Sequence, residues 1–346
     1  LKLYRFIIRL KGGLATPLKG DTLFGQYCWQ LAHDPDLIQG DLGNWIKTYP
    51  ESPWAVFSSA FPCFTFDNEY LFAFRKPDLP LNFYLGKLPA EREDRYQLTK
   101  SIKKTKWLMV GEGLKITIKN DALASDQRLL KMAEDQATFE TKRMVQKAGA
   151  PSLLKTEEKS HNTIKRTTNT TGPGTFAPYV QKVDHYYPDS EFVIFCLFNE
   201  EATDAKMVHL AIERIGQWGF GKDASIGCGR FDVVESESVA WPEQARANAC
   251  YTLSPCLPEK GAFKNQYFTP FVRFGKHGDI LAMSGNPFKN PVLMADEGAV
   301  LQPNNQDIFK KPYLGQAITG VSLSQPETIH QGYSIYLPMI MEGANG

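Results

Sequence analysis

Gly216-Gln217-Trp218-Gly219-Phe220-Gly221-Lys222-Asp223-Ala224-Ser225-Ile226-Gly227-Cys228-Gly229-Arg230-Phe231 places five glycines within fourteen residues, in a chain with 27 glycines among 346 residues. Glycine at that density lets a backbone take positive φ and approach a ligand closely, with amide N–H groups left to face an anion. Two familiar fingerprints overlap here. Gly216 to Asp223 reads G-x-x-x-x-G-K-D, and Gly219 to Ala224 reads G-x-G-x-x-A. Chain order excludes both. Such loops follow a strand and open a helix, because the phosphate sits on the helix N-terminus. Here residues 192–198 are a strand-length apolar run, and residues 203–215 set Val208, Ala211, Ile212 and Ile215 on one helical face. The glycine segment comes after that helix, and residues 230–234 resume as a strand. Asp223 also stands where a Walker loop carries its magnesium-binding hydroxyl. A helix–glycine loop–strand unit suits a grip on a polyanion backbone.

The length allows two ordinary domains, and 42% hydrophobic with 22% charged residues is the composition of a folded globular protein. The longest clean apolar run, seven residues from Phe192, is too short to span a bilayer. Six cysteines (Cys28, Cys63, Cys196, Cys228, Cys250, Cys256) form no C-x-x-C pair, which predicts buried free thiols, no zinc site and a cytoplasmic location. Formal net charge is only +1, but its distribution is uneven. Residues 100–166 carry 15 Lys and Arg against 8 Asp and Glu, a net of +7, so the remainder carries −6. A basic block in an acidic body fits a protein that binds RNA on one side and protein elsewhere.

Outward from the glycine segment, residues 2–11 alternate as a first strand. Asp21 reads as the N-cap of a helix running to about His33, with Leu23, Phe24, Tyr27 and Leu31 turned to the core. Residues 60–66 and 70–75 read as a hairpin turning at Asp67-Asn68-Glu69. Residues 76–89 are proline-punctuated, 107–118 hold short strands, and 126–147 form a polar helix. Residues 148–178 are dominated by hydroxyls, amides and cations, with Ile164 the only bulky apolar residue of the 160–174 run. That run cannot build a core and is exposed; its Asn, Thr, Lys and Arg are phosphate ligands by type. Residues 176–187 and 191–198 read as a further hairpin. The predicted fold is α+β: a ferredoxin-like (RRM-like) βαββαβ domain over 1–237 with a long insertion over about 77–178, followed by a smaller mostly-β domain over 238–346. Strands are predicted there at 267–274, 291–295, 299–301 and 333–339.

This order of elements resembles the RAMP superfamily of subunits in type III CRISPR effector complexes. Leu18-Lys19-Gly20-Asp21-Thr22-Leu23-Phe24-Gly25 resembles their entry into the first helix. His161-Asn162-Thr163-Ile164-Lys165-Arg166 with the following Thr-rich turn, and Gly219 to Phe231, are similar to segments of the fourth Csm subunit of type III-A complexes. Gly315 and Tyr333 fall where its final strands lie. Assignment to the related subunit of a type III-D complex stays open. The resemblance implies that the second domain is a degenerate ferredoxin-like fold and that residues 155–178 form a thumb-like segment. It implies a non-catalytic protein, without cofactor or metal, that caps the 5′ tag of the guide RNA. The implied partners are the guide, the large polymerase-like (cyclase-like) subunit and a RAMP backbone subunit, with no membrane. Carried over by position, Gly219, Phe220, Gly221, Lys222, Ser225, Gly227, Gly229 and Arg230 cradle tag phosphates. His161, Asn162, Lys165, Arg166 and Thr170 lie on the thumb, and Lys19 completes the groove. Phe220 is a candidate for stacking on a base, and Asp223 is expected to turn away or pair with an Arg. The alternative is a metal-independent repeat endoribonuclease of the same superfamily with His33 or His161 as general base.

Overall fold

The computed structural model describes residues 1–85 and 91–341, so the last part of the proline-punctuated stretch lies outside the described residues. The chain begins with β1 (Lys2–Leu10), α1 (Gly20–His33), α2 (Leu42–Thr48), β2 (Ala55–Phe57), β3 (Phe61–Phe66) and β4 (Glu69–Arg75). An insertion follows: α3 (Asn82–Leu85), α4 (Arg92–Lys104), β5 (Trp107–Gly111), β6 (Leu123–Ala124), α5 (Asp126–Gln136), α6 (Phe139–Ala148), β7 (Leu154–His161) and β8 (Tyr179–Tyr186). The main sheet resumes with β9 (Glu191–Phe198), α7 (Ala205–Trp218) and β10 (Phe231–Ser238). The central strands run β10-β1-β9-β3, continued at one edge by β4, β5 and β6, with α1 packed on α7. This is the βαββαβ order read from the sequence, in an α+β protein.

Local chemistry accounts for these elements. β9 is apolar at every position after Glu191, and both of its faces are buried. Asp67 and Asn68 both take positive φ (50° and 64°), as the two-residue turn between β3 and β4 requires. α7 starts where the Asp204 carboxylate accepts the N–H groups of Lys206 and Met207, and ends at Gly219 with φ 98°.

Three expectations are corrected. The polar helix at 126–147 is two helices, because the Thr138 hydroxyl accepts the Thr141 N–H and starts α6 afresh. β8 pairs along all eight residues with β7, not with β9, and the two form a separate ribbon. β9, apolar on both faces, takes the sheet interior instead. Asp21 is not an N-cap: Lys19 occupies that position without a side-chain cap, and Asp21 is buried inside the first turn.

The C-terminal part contains β11 (Ala249–Thr252), β12 (Phe263–Tyr267), β13 (Pro270–Arg273), β14 (Val292–Ala295), β15 (Val300–Pro303), β16 (Tyr313–Gly315) and β17 (Tyr333–Met339), with no α-helix among the described residues. Five of these form a sheet, β12-β15-β11-β17-β16, and β13 pairs with β14. The two halves share one core. Tyr251, Leu253, Val300, Ile335 and Leu337 join Phe6, Phe57, Phe74 and Phe195 in a single buried cluster. The Gln331 amide donates to the Phe57 carbonyl and accepts its N–H, both at 2.9 Å.

Two buried charge clusters also cross between the halves. Arg273 donates to the Asp21 carboxylate from Nε at 2.6 Å and Nη2 at 2.9 Å, and His330 Nε2 lies 3.2 Å from it. Lys19 Nζ donates at 2.6 Å to both Asp296 and Glu297. Burial alone would raise the Asp21 carboxyl, but the contacts with His330 and Arg273 outweigh it and hold the group well below the usual carboxylate range. A depressed carboxyl contributes stability above its unfolded-state range, about pH 4, and loses it as pH falls. Asp21→Asn leaves Arg273 without its counter-charge and should cost about 3 kcal/mol at pH 7. Urea unfolding should show the gap between wild type and variant narrowing below about pH 4; a pH-independent gap would contradict the charge argument.

Candidate nucleic-acid interface

Three segments meet where β1 ends. The strand leads through Lys11 to Thr16, the glycine loop crosses it, and the β7–β8 ribbon lies alongside. Lys11 N–H donates to the Arg230 carbonyl and Gly229 N–H to the Gly13 carbonyl, each at 2.8 Å. Leu14 and Asp184 exchange backbone hydrogen bonds at 2.8 and 2.9 Å, which pins the ribbon to the body. The Thr16 hydroxyl accepts the Lys222 N–H at 3.0 Å.

Such close approach explains the glycines. A Cβ on Gly229 would stand 2.2 Å from the Phe220 carbonyl oxygen, and one on Gly221 would stand 2.5 Å from the Thr16 Cβ. Most of the loop's amides are already used. Those of Gly219, Phe220, Lys222, Ile226, Gly227, Cys228 and Gly229 donate to protein acceptors. The amides of Gly221, Asp223, Ala224 and Ser225 donate to no acceptor among the described residues, so these N–H groups and the exposed side chains are what the loop leaves to meet an anion, while the glycines also permit backbone packing.

The structure sorts the predicted residues. Lys222, Ser225 and Arg230 are exposed on the loop, while Asn162, Lys165, Arg166 and Thr170 are exposed at the ribbon tip. The tip is closed by a small turn in which Lys165 N–H donates to the Thr170 carbonyl at 3.0 Å and Asn169 N–H to the Lys165 carbonyl at 2.8 Å. Loop and ribbon come together: Lys222 Nζ lies 5.4 Å from the centre of the Tyr179 ring, on whose flank the His161 ring stacks at 5.2 Å. Gly219, Gly221, Gly227 and Gly229 shape the loop, each with positive φ.

Three assignments change. Phe220 is fully buried and belongs to the main core, so it has no face to offer a base. Lys19 has its ammonium committed to Asp296 and Glu297. Asp223 meets no arginine among the described residues; its Oδ2 faces His161 Nε2 at 4.0 Å. His33 sits elsewhere, near the end of α1 against Trp29. Sequence reading missed Tyr179, the accessible aromatic of the site, although the alternation in Tyr-Val-Gln-Lys-Val-Asp-His-Tyr was a signal. It also missed Thr16, whose hydroxyl role is invisible without the fold. All six cysteines are free thiols, and no group of three or more His, Cys, Asp or Glu suited to a metal occurs among the described residues. No helix among them is long and apolar enough to cross a membrane.

Beside this junction lies a cleft of about 980 Å³ between the two halves, bordered by Trp107, Tyr186, Tyr267 and Phe268. Its cations are largely engaged: Lys19 as above, Arg75 with Asp296, and Lys106 with Asp126. Lys222 and Arg230 on the loop and Lys165 and Arg166 on the ribbon, by contrast, have no ion-pair partner among the described residues.

The whole architecture has counterparts among solved structures. A Csm3–Csm4 subcomplex of the type III-A CRISPR-Cas interference complex contains a chain that superposes with a TM-score of 0.53 at 14% identity, over 98% of this chain and 100% of that one. The Csm1–Csm4 cassette in complex with cA4 gives 0.51 at 15% identity, over 98% and 99%. The cassette with pppApA gives 0.50 at 16%, again over 98% and 99%. The chain therefore shares its fold with a chain of these Csm4-containing assemblies. No protein-family model and no curated protein matches the sequence. In this Csm4-like fold the glycine loop joins the second helix to the last strand of the βαββαβ unit, as the sequence order requires.

The glycines differ in what they tolerate. Gly227→Ala meets open space and suffers only the positive φ, 95°, a cost of about 1–2 kcal/mol. Gly229→Ala adds the collision with the Phe220 carbonyl and should lose about 1–3 kcal/mol more. Chemical denaturation of both variants checks the difference, and equal losses would show that the loop is not packed this way.

Proposed function

We propose that this chain is a non-catalytic RNA-binding subunit of a type III CRISPR effector complex. In this reading it caps the 5′ tag of the guide RNA and joins the large polymerase-like subunit to the RAMP backbone subunits. The observation that carries the reading is the meeting of a cationic glycine loop with a polar, cation-tipped ribbon inside a Csm4-like fold matched over 98% of the chain. The structures it resembles are assemblies of Csm4 with Csm1 and with Csm3, which supports both protein partners.

Lys222 and Arg230 supply charge, Ser225 supplies a hydroxyl, and the tip residues Asn162, Lys165, Arg166 and Thr170 extend the contact along the strand. Tyr179 takes the stacking role that Phe220 cannot. These are phosphate and π-face contacts, which tolerate any sequence. The fixed sequence of a tag would then be selected by its position at the guide's end and by its partners.

Replacing Lys222 with Ala tests the phosphate contact. The slope of log K against log salt for single-stranded RNA should shrink by roughly 0.7, with equal loss for different base sequences. An unchanged slope removes Lys222 from the interface. Catalysis is tested separately by incubating the protein with repeat RNA in EDTA. No 2′,3′-cyclic phosphate product should form; a product that disappears in His161→Ala or His33→Ala would establish an endoribonuclease instead.

A further inference from the structure

Asp223 presents a problem for a phosphate-binding loop. Its backbone is held in the left-handed region, φ 60°, by the surrounding turns, and its side chain points to the ribbon. The loop therefore carries a carboxylate between Lys222 and Ser225, where a neighbouring phosphate would be repelled. The group facing it is His161. Their facing atoms, Asp223 Oδ2 and His161 Nε2, are both sealed from solvent, and neither has a hydrogen-bond partner among the described residues. At 4.0 Å the pair is too far apart for a hydrogen bond and at the outer limit of an ion pair.

We infer that His161 is a positioning residue for the glycine loop. In its protonated form it neutralises Asp223 and draws the ribbon onto the loop, so that RNA is held by a proton-linked closure. Imidazole is the side chain whose ordinary titration falls between pH 5 and 8. The protonated ring donates Nε2–H to the carboxylate, and both buried atoms gain a partner. Phosphates bound beside Lys222 add negative potential and favour the imidazolium further, so RNA binding takes up a proton. Affinity then rises as pH falls.

The other charged and titratable groups around His161 do not replace it. On its own strand Lys159 lies 3.8 Å from Glu157, and across the ribbon His185 Nε2 lies 3.1 Å from the same glutamate. Tyr179 stacks on the imidazole, and Lys222 lies over the Tyr179 ring. Lys165 and Arg166 are exposed at the tip. Asp223 is the carboxylate aimed at the ring.

This inference rests on the RNA-binding reading, and the experiment separates the two. The intact chain is titrated with fluorescein-labelled oligouridylate between pH 5.5 and 8.5 at constant ionic strength, as wild type, His161→Gln and Asp223→Asn. For wild type, Kd should fall as pH falls, by up to about tenfold per pH unit at the steepest, as one linked proton requires. His161→Gln should match wild type at high pH and stay flat. Asp223→Asn, which lacks the repelling carboxylate, should bind more tightly than wild type at high pH. In parallel, the His161 ring resonance is followed by NMR without RNA; its titration midpoint should drop in Asp223→Asn. Tight binding with the same pH dependence in all three proteins, or an unmoved midpoint, overturns the closure. A shifted midpoint with no oligouridylate binding at any pH overturns the RNA reading and leaves the His161–Asp223 coupling standing as a property of the free protein.

Discussion

Strand β9 has no polar face. From Phe192 to Phe198 every side chain is buried, and its backbone is bonded to β1 along one edge and to β2 and β3 along the other. Everything else follows from satisfying that strand on both sides. α1 and α7 cover one face of its sheet, while β11 and β17 add Tyr251, Ile335 and Leu337 to the same core. An element that is apolar all round can only sit in the interior, and its burial determines which neighbours must be present. That requirement brings the end of β1, the start of α1 and the end of α7 together at the edge where the glycine loop lies.

The two halves are held by more than apolar contact. Asp21 and Lys19, two residues apart at the entry to α1, each reach a charge cluster in the C-terminal part. Buried ion pairs of this kind add little net stability when complete, and removing one partner is expensive. Their consequence here is specificity of docking: apolar surfaces can slide, whereas Arg273 must find Asp21, and Asp296 must find Lys19 and Arg75. Fixing α1 in this way also fixes the Lys11–Thr16 segment that precedes it, and with it the floor under the glycine loop.

Much of this was legible in the sequence, and the reasons for the misses are physical. β1, the β3–β4 hairpin, α7 and β17 carry strong apolar patterns or turn residues, and their positions emerged within a few residues. β7 reads Leu-Lys-Thr-Glu-Glu-Lys-Ser-His, polar on both faces, so no periodicity could reveal it as a strand. Without β7, β8 was given the wrong neighbour. The roles of Lys19 and Asp21 depend on carboxylates and a guanidinium some 250 residues or more away in the chain, information that local patterns do not hold. Phe220 illustrates the same limit: glycine context announced a loop, but only the fold shows that its one aromatic is an anchor turned inward. The convergence of loop and ribbon could be read in part, since both segments had been singled out, yet Tyr179 and Thr16 became visible only through contact.

The contrast between the loop and the ribbon tip has a kinetic consequence. Seven of the loop's amides are tied down before any ligand arrives, so its ordering entropy is already spent on folding and little remains to be lost on association. The tip, solvent-facing from Asn162 to Thr170, is held only by its own small turn at the end of the ribbon. One part of the surface is therefore a mould packed on the body, and the other an outlying turn closed on itself. In the RNA-binding reading proposed above, the outlying tip meets a strand first and the packed loop holds it, so changes at the tip should be felt in how fast a strand arrives and changes in the loop in how long it stays.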